Sequence, residues 1–333
     1  MDLDFNQTFP RPDEHLAIAD AAKSPRRAIR SSRITRRQVR RWGIALLLLV
    51  GLWLGISALV VLKLTRRPHA RFEEPAPSAP WGKLEEHRLR TRDAQDIGAW
   101  YVEGRDDAPS ILILHGNKGS RRNSLKYAEF LAPMGYTLLM PSLRCHGDSS
   151  GDFHDIGYGA RQDVLAAVDF LEKRRPGRPI LILGTSLGAA TALFASEELG
   201  HRVSGYILES PYRDLKTAVW HRTETYLPSP IHQIAYAGLR LVGLFMLPHL
   251  DEISPIRAID GIPADVPVLI LAGDADPLAR PEEAQALFDR VRSHGRLVML
   301  PASTHDVSLL QLNRDRYGQE VRDFCRGMGS IQN

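Results

Sequence analysis

The amino-acid sequence predicts an α/β fold with a mostly parallel central sheet, flanking helices and a small helical cap, preceded by one transmembrane helix. The predicted fold class depends on the alternation of strand-like and helix-like segments along the chain. Beyond residue 81, short apolar runs of strand length are separated by amphipathic stretches of helix length. Runs that are apolar throughout are typical of strands buried on both faces of a parallel sheet. The membrane helix rests on a stretch of 21 residues, 42–62, that contains no charged side chain.

Length and charge set bounds on the class of protein. A single α/β domain of roughly 200 to 250 residues is common, so we expect one large domain, 83–333, after an amino-terminal extension. Nine of the 43 Lys and Arg residues lie in 23–41, a stretch without an acidic residue. The other 34 face 39 acidic residues, a net charge of −5. The positive charge therefore belongs to the tail, and we predict no nucleic-acid partner.

The apolar stretch 42–62 would span roughly 30 Å as a helix, the thickness of a bilayer core. Trp42 at one end and Lys63 and Arg66 at the other are suitable interfacial anchors. A cleaved signal peptide is the alternative, but its apolar region is about 7 to 15 residues long and precedes a small-residue cleavage site. No such site is evident after residue 62. We therefore predict a single uncleaved transmembrane anchor.

The charges that flank the anchor predict its orientation. Nine positive charges precede it and four follow it within 63–71, a bias that leaves the amino terminus in the cytoplasm. The large domain would then lie on the periplasmic or extracellular side. The basic run is also suited to contact anionic lipid.

The remaining amino-terminal segments lack the pattern of a packed element. Residues 1–41 are basic and without strong periodicity, which predicts a disordered cytoplasmic tail. Residues 63–82 include the sequence EEPAPSAP, which predicts a semi-extended linker that holds the domain away from the membrane.

The elements of the large domain follow in chain order. Segments 84–91 and 97–102 predict an antiparallel hairpin at the sheet edge. Apolar runs predict buried strands at 110–114, 136–140, 180–183, 205–208, 266–271 and 297–300. Amphipathic stretches predict helices at 122–132, 159–173, 187–199, 281–292 and 307–327. Over about 212–262 the alternation breaks, which predicts the small helical cap.

The sequence GTSLG at 184–188 places a serine between a predicted strand and a predicted helix. A tight strand-to-helix turn projects the hydroxyl of Ser186 above the sheet. It leaves no room for Cβ atoms at Gly184 and Gly188. A five-residue pattern of this kind is weak by itself, so the strand and helix around it are what indicate a nucleophile.

A serine hydroxyl needs a base within hydrogen-bond reach and an acid that orients the base. In a fold with this turn, the acid and then a histidine follow in loops after later strands. Asp274 and Asp276 follow the predicted strand 266–271, and His305 follows 297–300. At this point either aspartate fits the role of acid, and turn capping is the alternative for both.

Negative charge that develops on a substrate carbonyl must be met by preorganised donors, usually backbone N–H groups. We predict that the N–H of Leu187, at the start of a helix, is one donor. The second is expected from the N–H of Asn117, in the glycine-containing loop after strand 110–114. His115 in the same loop is interpreted as a structural residue.

Together these features resemble the alpha/beta-hydrolase superfamily, in particular its membrane-anchored esterase, acyl-thioesterase and lipase-like serine hydrolases. The resemblance covers roughly 83–325. It rests on HG at 115–116, RCHGDS at 144–149, the serine turn, and the loops that carry Asp276 and His305, all in family order.

The resemblance implies a Ser/Asp/His triad, a two-amide oxyanion hole, no metal and no organic cofactor. It favours Asp276 as the acid, because the family's acid stands three residues after the glycine of that loop. Two departures from the family pattern are Cys145, where many relatives have glycine, and Arg280, where a proline often occurs. His146 and Asp148 are interpreted as structural residues.

The expected reaction is hydrolysis of a carboxylic ester or thioester, with a small-molecule or lipid ester as substrate. The apolar segment 231–247 is either a lid over an acyl path or a helix packed on the domain. The alternatives for function are a serine peptidase on the same fold and a non-catalytic, membrane-tethered binding protein. With only Cys145 and Cys325 in the chain, no disulfide framework or zinc site is expected.

Overall fold

The computed structural model describes residues 35–305 and 307–329. The predicted disordered tail, 1–41, lies outside the described residues as far as residue 34. Residues 36–41 are helical and not disordered, because they continue the apolar helix that follows them. The chain divides into two compact units, Met1–Leu49 and Val50–Asn333. The described part of the first unit is 35–49, which includes the amino-terminal portion of helix α1 (Arg36–Thr65). All other described elements lie in the second unit.

An eight-stranded mixed sheet forms the centre of the second unit. Its strands, in chain order, are β1 Leu84–Arg90, β2 Asp96–Val102, β3 Ser110–Leu114, β4 Thr137–Pro141, β5 Ile180–Thr185, β6 Gly205–Glu209, β7 Val268–Gly273 and β8 Gly295–Leu300. In space the order is β1-β2-β4-β3-β5-β6-β7-β8. The predicted edge hairpin is confirmed, with Leu84 opposite Val102, and β2 also pairs antiparallel with β4. The other neighbours are parallel, so the predicted fold class is correct.

Both faces of this sheet are covered, which explains the continuous apolar runs. Along β3, Ile111 and Ile113 belong to one buried cluster, while Leu112 and Leu114 belong to the cluster on the opposite face. All four side chains are fully buried. A strand with a hydrophobic layer on each side has no solvent face, and its sequence loses the alternation of polar and apolar residues.

The helices after α1 flank the sheet and form the cap. They are α2 Leu125–Leu131, α3 Arg161–Arg174, α4 Leu187–Leu199, α5 Leu215–Tyr226, α6 Ile231–Met246, α7 Pro255–Ala258, α8 Pro281–Arg290, α9 Leu309–Leu312 and α10 Arg314–Gly329. Short 3₁₀ turns occur at Arg121–Ser124, Ala132–Met134, Gly200–Arg202 and Ile259–Gly261. Helices α5 and α6 occupy the segment predicted to be a helical cap.

Most predicted boundaries differ from the structure by one or two residues, and three elements illustrate the differences. The strand predicted at 266–271 runs two residues later, as β7. The helix predicted at 122–132 begins with a 3₁₀ turn before α2. The helix predicted at 307–327 is divided into α9 and α10, because Asn313 leaves the helical conformation, with φ −129° and ψ 42°, and its side-chain amide donates to Ser303 Oγ. An asparagine that bonds outside its helix competes with the helical backbone.

The segment predicted as a semi-extended linker, 63–82, packs along the domain at Arg67 and Glu74. Glu74 is 2% exposed, and its carboxylate accepts a hydrogen bond from Ser142 Oγ and lies 3.3 Å from the guanidinium of buried Arg121. Farther back, the Arg67 guanidinium donates to the backbone oxygens of Gly147 and Gly151. A buried cation requires a carboxylate partner, so this segment completes the fold rather than separating the domain from α1.

Candidate active site

Ser186 lies in a tight turn between β5 and α4, with φ 50° and ψ −107°. A positive φ is costly for a residue with a Cβ atom, and such strain is typical of functional sites. The turn has no room for a side chain at either of its two glycines. A Cβ on Gly184 would lie 2.6 Å from the Ala189 nitrogen, and a Cβ on Gly188 would lie 2.4 Å from the Leu114 carbonyl oxygen. The steric argument made from the sequence therefore holds at both positions.

The structure brings Ser186, His305 and Asp276 into one chain of hydrogen bonds. Ser186 Oγ lies 3.0 Å from His305 Nε2, and His305 Nδ1 lies 2.8 Å from Asp276 Oδ2. Because a carboxylate only accepts, Nδ1 carries the proton of the neutral imidazole. Nε2 is then free to accept the proton of the Ser186 hydroxyl. This is the arrangement that activates a serine for attack on a carbonyl.

Asp276, and not Asp274, is placed beside the histidine. The Asp276 side chain is fully buried, and its second oxygen, Oδ1, accepts 2.9 Å hydrogen bonds from the N–H groups of Leu278 and Ala279. Asp274 is exposed, and among the described residues its side chain forms no hydrogen bond to His305. The fixed carboxylate can therefore orient the imidazole, as the family resemblance implied.

Two loops meet closely to bring the acid and the base together. A Cβ on Gly273, at the end of β7, would lie 2.2 Å from the Ser303 carbonyl oxygen. The N–H of Ala275 donates to that oxygen, and the N–H of Asp274 donates to the Leu300 oxygen. These backbone contacts tie the loop after β7 to the loop after β8, which carries His305.

The two residues predicted to supply oxyanion donors lie in segments next to the serine. Leu187 is the first residue of α4, so its N–H precedes any intrahelical acceptor and points out of the helix start. The loop with Asn117 also passes close to the nucleophile, since a Cβ on Gly116 would be 3.8 Å from the Ser186 Cβ. Asn117 itself lines the cavity, and its side-chain Oδ1 accepts a hydrogen bond from the Lys118 N–H. The backbone N–H of Asn117 as the second oxyanion donor stays a prediction.

Two of the residues interpreted as structural, His115 and Asp148, form hydrogen bonds within the domain. His115 is buried, and its Nδ1–H donates to the Gly116 oxygen while Nε2 accepts from the Leu143 N–H. Desolvation by burial lowers the pKa of His115 to about 3, so it is neutral. Asp148 binds the Arg121 guanidinium at 2.5 Å and 2.9 Å.

A hydrogen-bond network that sequence analysis missed lies directly behind the nucleophile. The Ser186 N–H donates to the Glu209 backbone oxygen. The buried Glu209 carboxylate accepts from Tyr127 Oη at 2.6 Å and Tyr317 Oη at 3.2 Å. Tyr127 Oη also lies 3.1 Å from Thr185 Oγ1. Burial raises the pKa of Glu209. No sequence motif marks these residues, because the sheet and the helices α2 and α10 bring them together from separate parts of the chain.

A cavity of about 920 Å³ opens above Ser186 and His305. Most of its wall is apolar. Its charged lining residues are cationic, Lys118, Lys126 and Arg222, and within the described residues no Asp or Glu lines it. Sequence analysis did not identify these cations, since a single Lys in a loop or helix resembles any other solvated charge.

The two departures from the family pattern have clear structural settings. Cys145 occupies a position with φ 65°, the conformation that favours glycine, and its buried Sγ donates to the Phe153 oxygen. Arg280 forms an ion pair with Glu224 of α5 and so joins the loop after the acid to the cap. Cys145 and Cys325 are both buried and free. In the part of the chain that the structure describes, no group of three or more His, Cys, Asp or Glu residues could hold a metal ion.

Comparison with known proteins defines the class. A family model described as serine aminopeptidase, S33, matches residues 106–249. The uncharacterized protein YqkD of Bacillus subtilis is 30% identical over 238 residues, which cover 70% of this chain and 76% of YqkD. The lysophosphatidylserine lipase ABHD12 of Xenopus tropicalis is 29% identical over 150 residues, 43% of this chain and 38% of the lipase.

Solved structures show the same fold. The Pyrococcus furiosus esterase Pf2001 superposes with a TM-score of 0.62 at 20% identity, covering 78% of this chain and 98% of the esterase. Fold, nucleophile turn and relatives together define the class as an alpha/beta hydrolase. The chain belongs to the alpha/beta-hydrolase family, as its sequence motifs predicted.

Proposed function

We propose that this protein is a membrane-anchored serine hydrolase that cleaves the carboxylic ester or thioester bond of acyl-lipid substrates. The observation that carries the proposal is the hydrogen-bonded chain from Ser186 through His305 to Asp276 at the floor of a largely apolar cavity. An apolar cavity of this size, with a few polar groups at one end, suits an amphiphile with its reactive carbonyl at the polar end.

The reaction follows two acyl-transfer steps. Ser186 Oγ attacks the carbonyl carbon while His305 Nε2 takes the hydroxyl proton, and the N–H groups of Leu187 and Asn117 bind the resulting oxyanion. Collapse of this intermediate breaks the bond to the alcohol or thiol, which leaves with the proton from His305. Water then attacks the acyl-enzyme, again with His305 as base, and the carboxylic acid is released.

The charges in the cavity favour an ester over a peptide. An aminopeptidase has to bind the ammonium group of its substrate, for which a carboxylate in the site is the natural partner. The described lining of this cavity carries three cations and no carboxylate. Cations in that position instead suit a substrate with an anionic group near the scissile bond. The lipase among the relatives is named for a substrate of this kind.

Membrane anchoring rests on α1. In the described part of the chain it is the one helix long and apolar enough to cross a membrane, with a mean hydropathy of 2.7 over its most apolar window. The charge bias predicts a cytoplasmic amino terminus and a periplasmic or extracellular domain. A reporter fused after Asn333 that is active only outside the cytoplasm supports this orientation, and activity only in the cytoplasm contradicts it.

The proposed reaction is tested with a series of acyl esters from acetyl to palmitoyl, presented with and without detergent micelles. We expect the value of kcat/KM to rise with chain length and hydrolysis to be absent in Ser186→Ala. A preference for acetyl over long acyl groups contradicts the lipid substrate. Absence of hydrolysis across the whole series in the wild-type protein contradicts the enzyme and favours a binding protein.

A further inference from the structure

The second half of α1 lies against the hydrolase domain instead of being surrounded only by solvent or lipid. Ser57, Val61 and Thr65 are 5%, 5% and 2% exposed, one turn apart along one face of the helix. Leu52 and Leu59, on other faces, are 62% and 66% exposed. An anchor that only tethers a domain has no reason to bury such a stripe.

The partner of this stripe is α6, the apolar helix of the cap. Trp53 Nε1 donates to the Ile234 carbonyl oxygen at 3.1 Å. A Cβ on Gly238 would lie 2.3 Å from Ser57 Oγ and 2.8 Å from Trp53 Nε1. Only glycine permits an approach this close, and small residues at helix contacts are characteristic of helices that pack within membranes.

The cavity above the nucleophile extends between these two helices. At its polar end it is lined by Ser186 and His305. On the α1 side its lining residues are Trp53, Ile56, Ser57, Val60 and Leu64. On the α6 side they are Ile231, Ile234, Ala235 and Leu239. The space that leads to the reacting serine is therefore bounded in part by the transmembrane helix.

The opening of this cavity is apolar on the side between α1 and α6, whereas the exposed Asn117 and Lys118 line another side. Among its lining side chains, Ile56, Ile231 and Ile234 are 53%, 53% and 55% exposed. A rim of exposed isoleucines is unfavourable in water and favourable in hydrocarbon. With α1 in a bilayer, this side of the opening faces lipid.

We propose that helix α1 is one wall of the acyl-binding site, and that the acyl chain of the ester substrate enters sideways from the bilayer between α1 and α6. This inference rests on the proposed function, which supplies the ester. The chain stays in an apolar environment from the bilayer to Ser186, and the carbonyl meets the oxyanion donors at the polar end. The anchor is then part of the substrate site and not only a tether.

The first test places a larger side chain on the α1 side of the cavity, in the full-length protein reconstituted into lipid nanodiscs. Val60 lines the cavity, and its neighbour Leu59 does not. We expect Val60→Trp to lower the ratio of kcat/KM for palmitoyl to butyryl esters at least ten-fold, whereas Leu59→Trp keeps the wild-type ratio. An unchanged ratio in Val60→Trp, or an equal fall in Leu59→Trp, overturns the inference.

A second measurement needs no substitution, so misfolding of a variant does not affect it. A long-chain alkyl fluorophosphonate with a terminal diazirine reacts first with the nucleophilic serine and is then photoactivated. We expect cross-links within 53–64 and within 231–239. Cross-links confined to other segments overturn the inference.

The two proposals fail in different ways. If the probe does not react with the wild-type protein and butyryl ester is not hydrolysed, the serine hydrolase proposal is wrong. If butyryl ester is hydrolysed and the probe reacts, but its chain end does not reach α1, only the role of the anchor is wrong.

Discussion

At the scale of single residues, the site depends on which carboxylate reaches the imidazole. Asp276 is buried, fixed by two backbone N–H groups and 2.8 Å from His305. Asp274, two residues earlier, is exposed. The pair thus offers a matched comparison within one loop, since both positions carry the same side chain.

We predict that Asp276→Asn lowers kcat on a soluble ester by roughly 10³- to 10⁴-fold, because an amide at this position no longer holds the reactive tautomer of His305. KM is expected to change little. The control Asp274→Asn should stay within about two-fold of wild type. Comparable losses of kcat in the two variants would show that the acid has been misassigned.

The cationic lining leads to a prediction about the head group. Lys126 is half-buried and lines the cavity, and desolvation by burial lowers the pKa of its ammonium. Lys126→Gln is expected to raise KM about ten-fold for an anionic lipid ester while leaving KM for a neutral ester within about two-fold, since one charge-assisted contact is worth about 1.4 kcal/mol or more. Lys173→Gln, at an exposed site outside the cavity, is the control. Equal changes for the two esters would contradict the anionic substrate.

How much of the site the sequence predicts depends on how local each residue's setting is. Ser186 and its glycines are recognisable because strand, turn and helix are consecutive, and Asp276 and His305 follow strands whose apolar runs are clear. Lys126, Glu209 and Tyr127 are not recognisable, since their roles come from contacts between distant segments. The geometry also decides between Asp274 and Asp276, which spacing alone leaves open.

At the scale of elements, the contact between α1 and α6 is the feature that no pattern in either helix predicts. Helix α1 is apolar on most faces, so its periodicity does not indicate a contact face. Helix α6 is amphipathic, but apolar side chains such as Leu244 and Phe245 are exposed, so the pattern does not mark the face that meets α1. The small residues Ser57 and Gly238, each within an apolar helix, are the signal that a search for helix packing could use. The semi-extended linker was predicted from composition alone, which does not reveal that Glu74 is the partner of a buried arginine.

Two glycines of α6 test this contact. A Cβ on Gly238 would overlap Ser57 and Trp53, whereas a Cβ on Gly243 would have its nearest contact at 3.7 Å, an ordinary van der Waals distance. We predict that Gly238→Ala lowers the free energy of unfolding by about 1–3 kcal/mol through overpacking. Gly243→Ala should be neutral or stabilising by up to about 1 kcal/mol, owing to the better helix propensity of alanine.

Thermal unfolding of the two variants in the same detergent provides the measurement. A lower Tm for Gly238→Ala alone agrees with close packing of α6 on α1. Equal Tm values for the two variants would show that α6 does not pack on α1 in solution.

At the scale of the whole molecule, three buried histidines make the stability of the fold sensitive to acid. His115, His146 and His154 lie in successive ring contacts, with centroids 5.0 Å and 5.5 Å apart. Desolvation by burial lowers the pKa of all three, to about 3 for His115 and about 4 for His154. The folded state therefore holds them neutral where the unfolded state, with a pKa near 6.5, takes up protons.

This difference predicts that the three histidines lower the free energy of unfolding as the pH falls below about 6.5. Buried Asp163, whose pKa desolvation raises to about 6, offsets part of this loss, because its folded form takes up a proton more readily than its unfolded form. For each histidine the free energy of unfolding falls by up to about 1.4 kcal/mol per pH unit, until the pH reaches the pKa of that histidine in the folded state. Unfolding midpoints at pH 7.5, 6.5 and 5.5 measure it. His154→Leu should weaken the dependence of the unfolding midpoint on pH. His201→Gln, at an exposed site, should leave that dependence unchanged. An identical slope in His154→Leu and wild type would contradict the role of the cluster.

In the proposed account, a hydrolase domain is combined with an anchor that forms part of its substrate cavity, and this account depends first on Ser186 being the nucleophile. The most direct measurement is covalent labelling of the purified full-length protein by a fluorophosphonate, with the adduct located by mass spectrometry of peptides. The account predicts one adduct, on Ser186, that is absent in Ser186→Ala and formed far more slowly in His305→Ala. No adduct, an adduct on another residue, or equal labelling of Ser186→Ala would contradict it.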